Sequence, residues 1–504
     1  MVTKGRVRVA KLDVGRGGAY IYVETFTSLI LGYAFWFIMA KISTSEVIGT
    51  SAAVISLSTI FTTVVTLGIP NGVQRFLGKS FSEQKINDAR IFVWISVILI
   101  SIGIIISSLF FLIGQKWADN TFGIKPDLVV VTILLIASSA MTTLFRSIVI
   151  ATLKTRILPI VMTISSSLKI VLSVILIMNG WEAPGLTIGY TMNQILASII
   201  LVVYLVTILG SSKAISKTSY KEVSKNILES STVSWIPALI TTIGTQLGTI
   251  IVFGSQGAHQ AGVFFIAFSI FSAVSGIMFS LFTIAYPALS AMTDGRKRLT
   301  WRITKMSLIL ALPFSAWLTF YSKNVMQLFN QNYVEGASAL EVLLLSMLPI
   351  AVLTGVSTLV YSYGNYRQVL AIGLVSSIPR TVLYFILVPL FSGMGASISY
   401  TAGSILGLIV SIAIARKIGL QMSSKELVVL FFFPLGLALP LSYLGINYIA
   451  SIIIIPIITW AVLLKIGIIS RSDVQDSIGI LPSNISHPTL SILNKIGRKL
   501  NSSY

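Results

Sequence analysis

The residues able to do chemistry are few, and four of them stand inside apolar stretches: Glu24, Arg146, Lys169 and Arg380. The chain has no cysteine and two histidines, His259 and His487. Thiolate chemistry is thereby excluded, and a histidine-built metal centre has almost nothing to draw on. No cofactor is expected. A charge near the centre of a bilayer costs at least ~2.5 kcal/mol even on insertion scales, so it persists mainly where it faces a cavity or a partner. Lys169 lies about 13 residues, or ~18 Å, into the apolar run that begins at 157, and Arg380 is equally deep in the run that begins at 368. Such a pair of cations could hold an anionic group such as phosphate by charge, Arg380 also by bidentate hydrogen bonds. Alternatively, each pairs with a carboxylate or with helix-end carbonyls nearby. Arg146 stands near the end of its run, where a long side chain reaches headgroups, and is a secondary binding candidate. Glu24, two turns into the first run, reads as a Na⁺ or proton site, as the counter-ion of a cavity cation, or as a carboxylate held by a helix N-terminus.

The elements that must position these residues are membrane helices. Of 504 residues 55% are hydrophobic and only 10% charged, and the mean hydropathy is +0.91. One soluble core could not hide that much apolar surface. Stretches of about 20 apolar residues, enough to span a bilayer as helix, recur along the chain. The ~10-residue alternating segments of a strand barrel are absent. The predicted fold is all-α and integral to the membrane. Helices are expected at 18–40, 46–68, 91–114, 128–152, 157–179 and 184–209, then at 232–254, 260–288, 304–322, 338–362, 368–390 and 394–418, with two more at 427–446 and 448–469. That makes fourteen in two six-helix lobes, 1–209 and 232–418, joined by a polar linker at 210–231. The two extra helices fall in 419–469 and a polar tail in 470–504. The basic segment before the first run resembles a signal peptide, but the run is too long and lacks a small-residue cleavage pattern, so it reads as the first span.

Charge supports the count. With the N-terminus inside, twenty-eight of the 36 Lys and Arg fall in alternate segments on the cytoplasmic side, and Lys41, Lys116, Lys125 and Lys323 fall outside. Both termini are therefore expected in the cytoplasm. The formal net charge of +20 suits anionic inner-leaflet lipid and does not require nucleic acid.

The two sets also look like copies of one unit. Thr155-Arg156 aligns with Tyr366-Arg367, Ser165-Ser166 with Ser376-Ser377 and Lys169 with Arg380; Gly185, Tyr190 and Thr191 align with Gly395, Tyr400 and Thr401. Thr66 to Pro70 matches Thr283 to Pro287, which makes Pro70 and Pro287 candidate hinges or plain helix stops. Both sets start inside, so the repeats are parallel, and two such lobes imply a central cavity that opens to either side by rocking.

The run Ser43-Thr-Ser-Glu46-Val-Ile-Gly49, with Leu67-Gly68-Ile-Pro70-Asn-Gly72-Val-Gln-Arg75-Phe76 and Tyr363-Gly364-Asn365-Tyr366-Arg367, resembles the polysaccharide-flippase (Wzx-like) branch of the multidrug, oligosaccharidyl-lipid and polysaccharide exporter superfamily. So do Val388-Pro389 and Gly393 to Ser399. The resemblance covers roughly 18–418. It implies a non-enzymatic flippase in the cytoplasmic membrane whose cargo is a lipid-linked oligosaccharide of the polyprenyl-diphosphate type, working as a monomer among membrane lipids, with Na⁺ or H⁺ as possible coupling ion. The chain departs from the related lipid II flippases, whose first two helices often carry arginines, in having Glu24 there. Gln246, Asn193 and Gln194 would then face sugar hydroxyls, or serve helix packing. Two alternatives stay open: a cation-coupled multidrug exporter of the same superfamily, and a membrane-embedded glycosyltransferase or polymerase using the same lipid donor. The mid-membrane cations argue against the first and the short outside loops against the second.

Overall fold

The computed structural model describes residues 2–82, 86–115, 126–210 and 220–469. The expected tail at 470–504 and residues 211–219 of the expected linker lie outside the described residues. All the regular elements described are helical: α1 (Val2–Ile42), α2 (Ser45–Thr66), α3 (Ile69–Ser82), α4 (Ile86–Ile113), α5 (Pro126–Ala151), α6 (Ile157–Met178), α7 (Glu182–Leu209), α8 (Tyr220–Ala291), α9 (Arg296–Phe320), α10 (Ser322–Phe329), a 3-10 turn (Gln331–Gly336), α11 (Ala337–Leu344), α12 (Met347–Ser362), α13 (Tyr366–Lys417), α14 (Ser424–Tyr443) and α15 (Tyr448–Lys465). Eleven helices among the described residues are long and apolar enough to cross a membrane, or twelve if Gln331–Leu344 and Met347–Ser362, bent by 45°, form one span. The chain is a multi-pass membrane protein. Its lipid-facing character is plain on α4, which turns Ile98, Ile102, Ile105, Ile106, Leu109 and Ile113 outward, a face no water-soluble helix could afford.

Two helices are too long to be straight. At 72 residues, α8 would reach ~108 Å, over three times the hydrocarbon thickness. It breaks at Gly257 (φ 85°), a backbone state that only glycine adopts without strain. The Tyr361 side chain stands between the two ends of α8, near Ser234 and with its ring 5.2 Å from that of Tyr286. Likewise α13 doubles back at Ser392 (φ 53°), so that a Cβ on Gly407 would lie 2.9 Å from the Ser376 Cβ. Each is a hairpin of two arms, 220–256 with 258–291 and 366–391 with 393–417.

The bend near Pro70 differs from expectation. The residues that turn the chain are Leu67 (φ 47°) and Gly68 (φ 70°), and Pro70 sits in the first turn of the new helix α3, where its missing N–H costs nothing. Gly68 is also pressed on its neighbour: a Cβ there would stand 2.7 Å from the Ser231 carbonyl oxygen. Pro287 lies within the last turns of α8, which runs on to Ala291, so neither proline terminates a helix.

The basic turns gather at one end of the bundle. Arg296 donates to the Ser362 carbonyl at 3.0 Å, Tyr204 to the Lys154 carbonyl at 3.2 Å, and Lys305 pairs with Glu426 at 3.7 Å. At the opposite, far end lie the turns at 43–44, 179–181, 257 and 392. There one apolar core mixes Phe35, Met39 and Ile48 with Phe264, Phe271 and Tyr400, so the two expected lobes meet at this end. A second core joins Val54, Ile69, Phe92 and Leu144 to Val223, Ile227 and Ile250, giving the first arm of α8 a place beside α2–α7. The last two helices pack on α9, fixed by Trp317 Nε1 donating to the Tyr448 carbonyl and Trp460 Nε1 to that of Ile309, both at 2.9 Å.

Candidate functional site

Lys169 and Arg380 occupy equivalent places. The 211-residue spacing that separates them, and the 210 that separates Tyr190 from Tyr400, puts each cation on the first helix of a hairpin and its tyrosine on the second. Lys169 projects from α6, is 6% exposed, and its Nζ lies 4.4 Å from the Phe35 ring and 4.8 Å from the Tyr190 ring. Arg380 projects from the first arm of α13, is 5% exposed, and its guanidinium lies 4.0 Å from the Tyr400 ring. Its Nη2 donates to Ser404 Oγ at 2.9 Å, and its Nε has no hydrogen-bond partner. Gly403 makes that approach possible, since a Cβ there would meet Arg380 Cβ at 2.7 Å. The paired serines 165–166 and 376–377 are buried a turn before each cation.

Among the described residues no carboxylate lies within ion-pair distance of either cation. Aromatic faces take that place, each contributing about 0.5–2 kcal/mol, enough to offset much of the ~2.5–3.5 kcal/mol insertion cost. A ring quadrupole stabilises a cation without neutralising it, so both sites keep their positive potential for an anion. The rings also connect: Trp36 stands 5.0 Å from Phe35 and 4.5 Å from Phe265, and Phe268, one turn further on the second arm of α8, is 5.5 Å from Tyr400. The two cations thus stand at opposite ends of an aromatic layer that crosses from one half to the other.

Glu24 and Arg146 are brought together. Arg146 Nε donates to Glu24 Oε1 at 2.6 Å and Nη2 to Oε2 at 2.8 Å, a bidentate pair. Glu24 is buried while the Arg146 side chain is 40% exposed. Of the readings open for Glu24, the geometry is that of a counter-ion: both carboxylate oxygens are engaged by Arg146, which therefore does not reach freely for headgroups. Because Arg146 is partly solvated, truncating either residue to leucine should destabilise by about 1–2 kcal/mol, below the cost for a fully buried pair. The double variant should lose less than the sum, as a double-mutant cycle on thermal unfolding in detergent would show.

Asn193 is buried on α7, one turn beyond Tyr190, and its Oδ1 lacks a partner. The backbone carbonyl of Gln194 accepts from Thr142 at 2.8 Å. Gln246 is half-buried on the first arm of α8, two residues past Gly244, whose carbonyl accepts from the Tyr384 hydroxyl at 3.1 Å. Sequence reasoning aligned Tyr190 with Tyr400 without assigning them a task; their matched spacing behind Lys169 and Arg380 was the available signal. Ser45, Glu46, His259 and Glu335 meet at the far end; the first two stand in the run from Ser43 to Gly49, and no spacing links them to the other two.

Residues 14–293, more than half of the chain, match the family described as polysaccharide biosynthesis protein. No curated protein matches the sequence. Among solved structures, the lipid II flippase MurJ in an inward closed conformation is 14% identical with a TM-score of 0.68, covering 89% of this chain and 99% of that one. A multidrug resistance MATE family transporter in its inward-facing conformation is 16% identical with a TM-score of 0.62, covering 78% and 94%. A MOP superfamily transporter from Pyrococcus furiosus is 13% identical with a TM-score of 0.57, covering 83% and 96%. At such identities the likeness is one of fold. By its sequence the chain belongs to the polysaccharide biosynthesis protein family, and its helices have the fold of the MOP superfamily of transporters and flippases.

Proposed function

We propose that this protein carries a lipid-linked oligosaccharide of the polyprenyl-diphosphate type across the cytoplasmic membrane by alternating access between two lobes. The observation that carries the reading is the matched pair Lys169 and Arg380, each buried against a repeat-related tyrosine and without a carboxylate partner among the described residues. A diphosphate is the part of such a cargo that most needs cations inside a membrane, because leaving water strips its hydration. Membership of a polysaccharide biosynthesis family and the fold shared with a lipid II flippase agree with this class of cargo. Asn193 and Gln246 are the candidates for sugar hydroxyls, and Arg146, held by Glu24, is a further phosphate contact. The reading counts each arm of α8 and α13 as one crossing and the bent pair as another, fourteen in all, with the basic end and both termini in the cytoplasm. It takes the protein as a monomer, lobes at 1–209 and 232–418, and transport driven by Na⁺ or H⁺.

The test is reconstitution in liposomes with a fluorescent polyprenyl-diphosphate oligosaccharide, a cationic dye serving as the control cargo. Movement of the lipid-linked sugar and not the dye is the expected result. Movement of the dye alone would make the protein a drug exporter.

A further inference from the structure

The far end is shut where three segments meet. Gly49 of α2 lies so close to the second arm of α8 that a Cβ on it would stand 2.6 Å from the Gly262 nitrogen and strike the Ala258 carbonyl oxygen. Beside that seam stands His259, two residues past the break at Gly257. Its Nδ1 is 2.6 Å from Ser45 Oγ and 3.4 Å from Glu46 Oε1, both at the start of α2. Its Nε2 is 2.7 Å from Glu335 Oε1 in the 3-10 turn. Gln260 Nε2 reaches the same Glu335 oxygen at 3.3 Å, and Ser392, at the break of α13, donates to Gln260 Oε1 at 3.0 Å. The titratable groups around the imidazole are therefore Glu46 from α2 and Glu335 from the 3-10 turn, with Tyr333 of that turn buried near Glu46. His259 is 39% exposed, Glu46 57% and Glu335 47%, so protons of the far-side solvent reach them; Lys169 and Glu24 are sealed.

We propose that His259 is a proton-binding latch between the two halves of the protein: with a proton on both ring nitrogens it ties Glu46 and Ser45 of one half to Glu335 of the other and holds the far end closed. A neutral imidazole has one N–H and one lone pair. With its N–H given to Glu335, Nδ1 can only accept from the Ser45 hydroxyl, and Glu46 faces an uncharged nitrogen. A second proton makes Nδ1 a donor and sets a positive charge between two carboxylates that belong to opposite halves. Proton uptake at the far end thus favours closure and proton release favours opening. Histidine is the side chain whose charge changes in the ordinary physiological range. Half-exposed ion pairs are weak, so the closed-to-open ratio should change by roughly tenfold rather than by orders of magnitude.

This inference rests on the proposed alternating access only in making far-end opening a step of transport; the latch itself is read without any cargo. Because the chain has no cysteine, Asn179→Cys and Ser255→Cys, both exposed at the far end, take spin labels without background. In nanodiscs, the inter-label distance distribution should shift toward the longer, open population between pH of about 5.5 and about 8.5. His259→Gln, which keeps a donor but cannot take up the proton, should abolish the shift, and His487→Gln should leave it unchanged. If His259→Gln does not fold, Glu335→Gln removes one carboxylate and should reduce the shift. A wild-type distribution that ignores pH, or a shift that survives His259→Gln, overturns the latch and leaves the cargo assignment untouched.

Discussion

Replacing Lys169 with methionine should leave the stability of the protein within about 1.5 kcal/mol of the wild type, while transport of a diphosphate-bearing lipid falls about ten- to a hundredfold. The two effects separate because of what surrounds the side chain. Methionine is close to lysine in length and fills the space beside Phe35 and Tyr190. The change removes the burial cost of a charge that no carboxylate offsets, ~2.5 kcal/mol or more. It forfeits two ring contacts worth about 0.5–2 kcal/mol each, so the balance lies within about 1.5 kcal/mol of zero. Arg380→Met should behave alike in transport but fare slightly worse in stability, because it also gives up the bond to Ser404 Oγ and leaves a space that Gly403 cannot fill. Thermal unfolding in detergent and liposome transport, run on the same preparations, decide the matter. A protein that unfolds well below the wild type would assign the cation to the architecture, whereas a stable but inactive protein assigns it to the cargo. A residue kept at a cost to stability is one on which function depends.

That contrast also explains what could be read from the residues in order and what could not. The apolar spans are local and follow from composition, so expected and observed helices agree closely over α2, α4–α7, α14 and α15. Lys169 and Arg380 were visible because the repeat fixes their register, and the same register carries Tyr190 and Tyr400 to their places behind them. The short helices α3 and α10 and the 3-10 turn were missed: too brief and too polar to register as spans, they lie where the chain leaves the apolar layer. Glu24 with Arg146 and Ser45 with His259 are separated by 122 and 214 residues. No periodicity links such residues; only the packing of α1 on the helices beside it and of α2 on α8 makes them neighbours. The positive φ at Leu67 likewise has no local signal beyond the glycine next to it.

The seam between Gly49 and Gly262 supplies the other large effect. Gly49→Ala sets a methyl group against the Ala258 carbonyl and the Gly262 nitrogen, and Gly262→Ala sets one against the Ser45 carbonyl and, at 3.1 Å, the Gly49 nitrogen. These obstacles are backbone atoms, so no rotamer change relieves them, and overpacking of this kind costs about 1–3 kcal/mol. In a protein whose halves can part at this end, the strain is released by opening. Each 1.4 kcal/mol is a factor of ten in the open-to-closed ratio, so either alanine should raise it about five- to a hundredfold, read from the same pair of spin labels at 179 and 255. The double variant is the decisive one. Once the first methyl has separated α2 from α8, the second meets little resistance, and the two effects should fall well short of adding. Additive losses of thermal stability with an unchanged distance distribution would instead mean that the seam is a fixed packing contact, and that the far end does not open there.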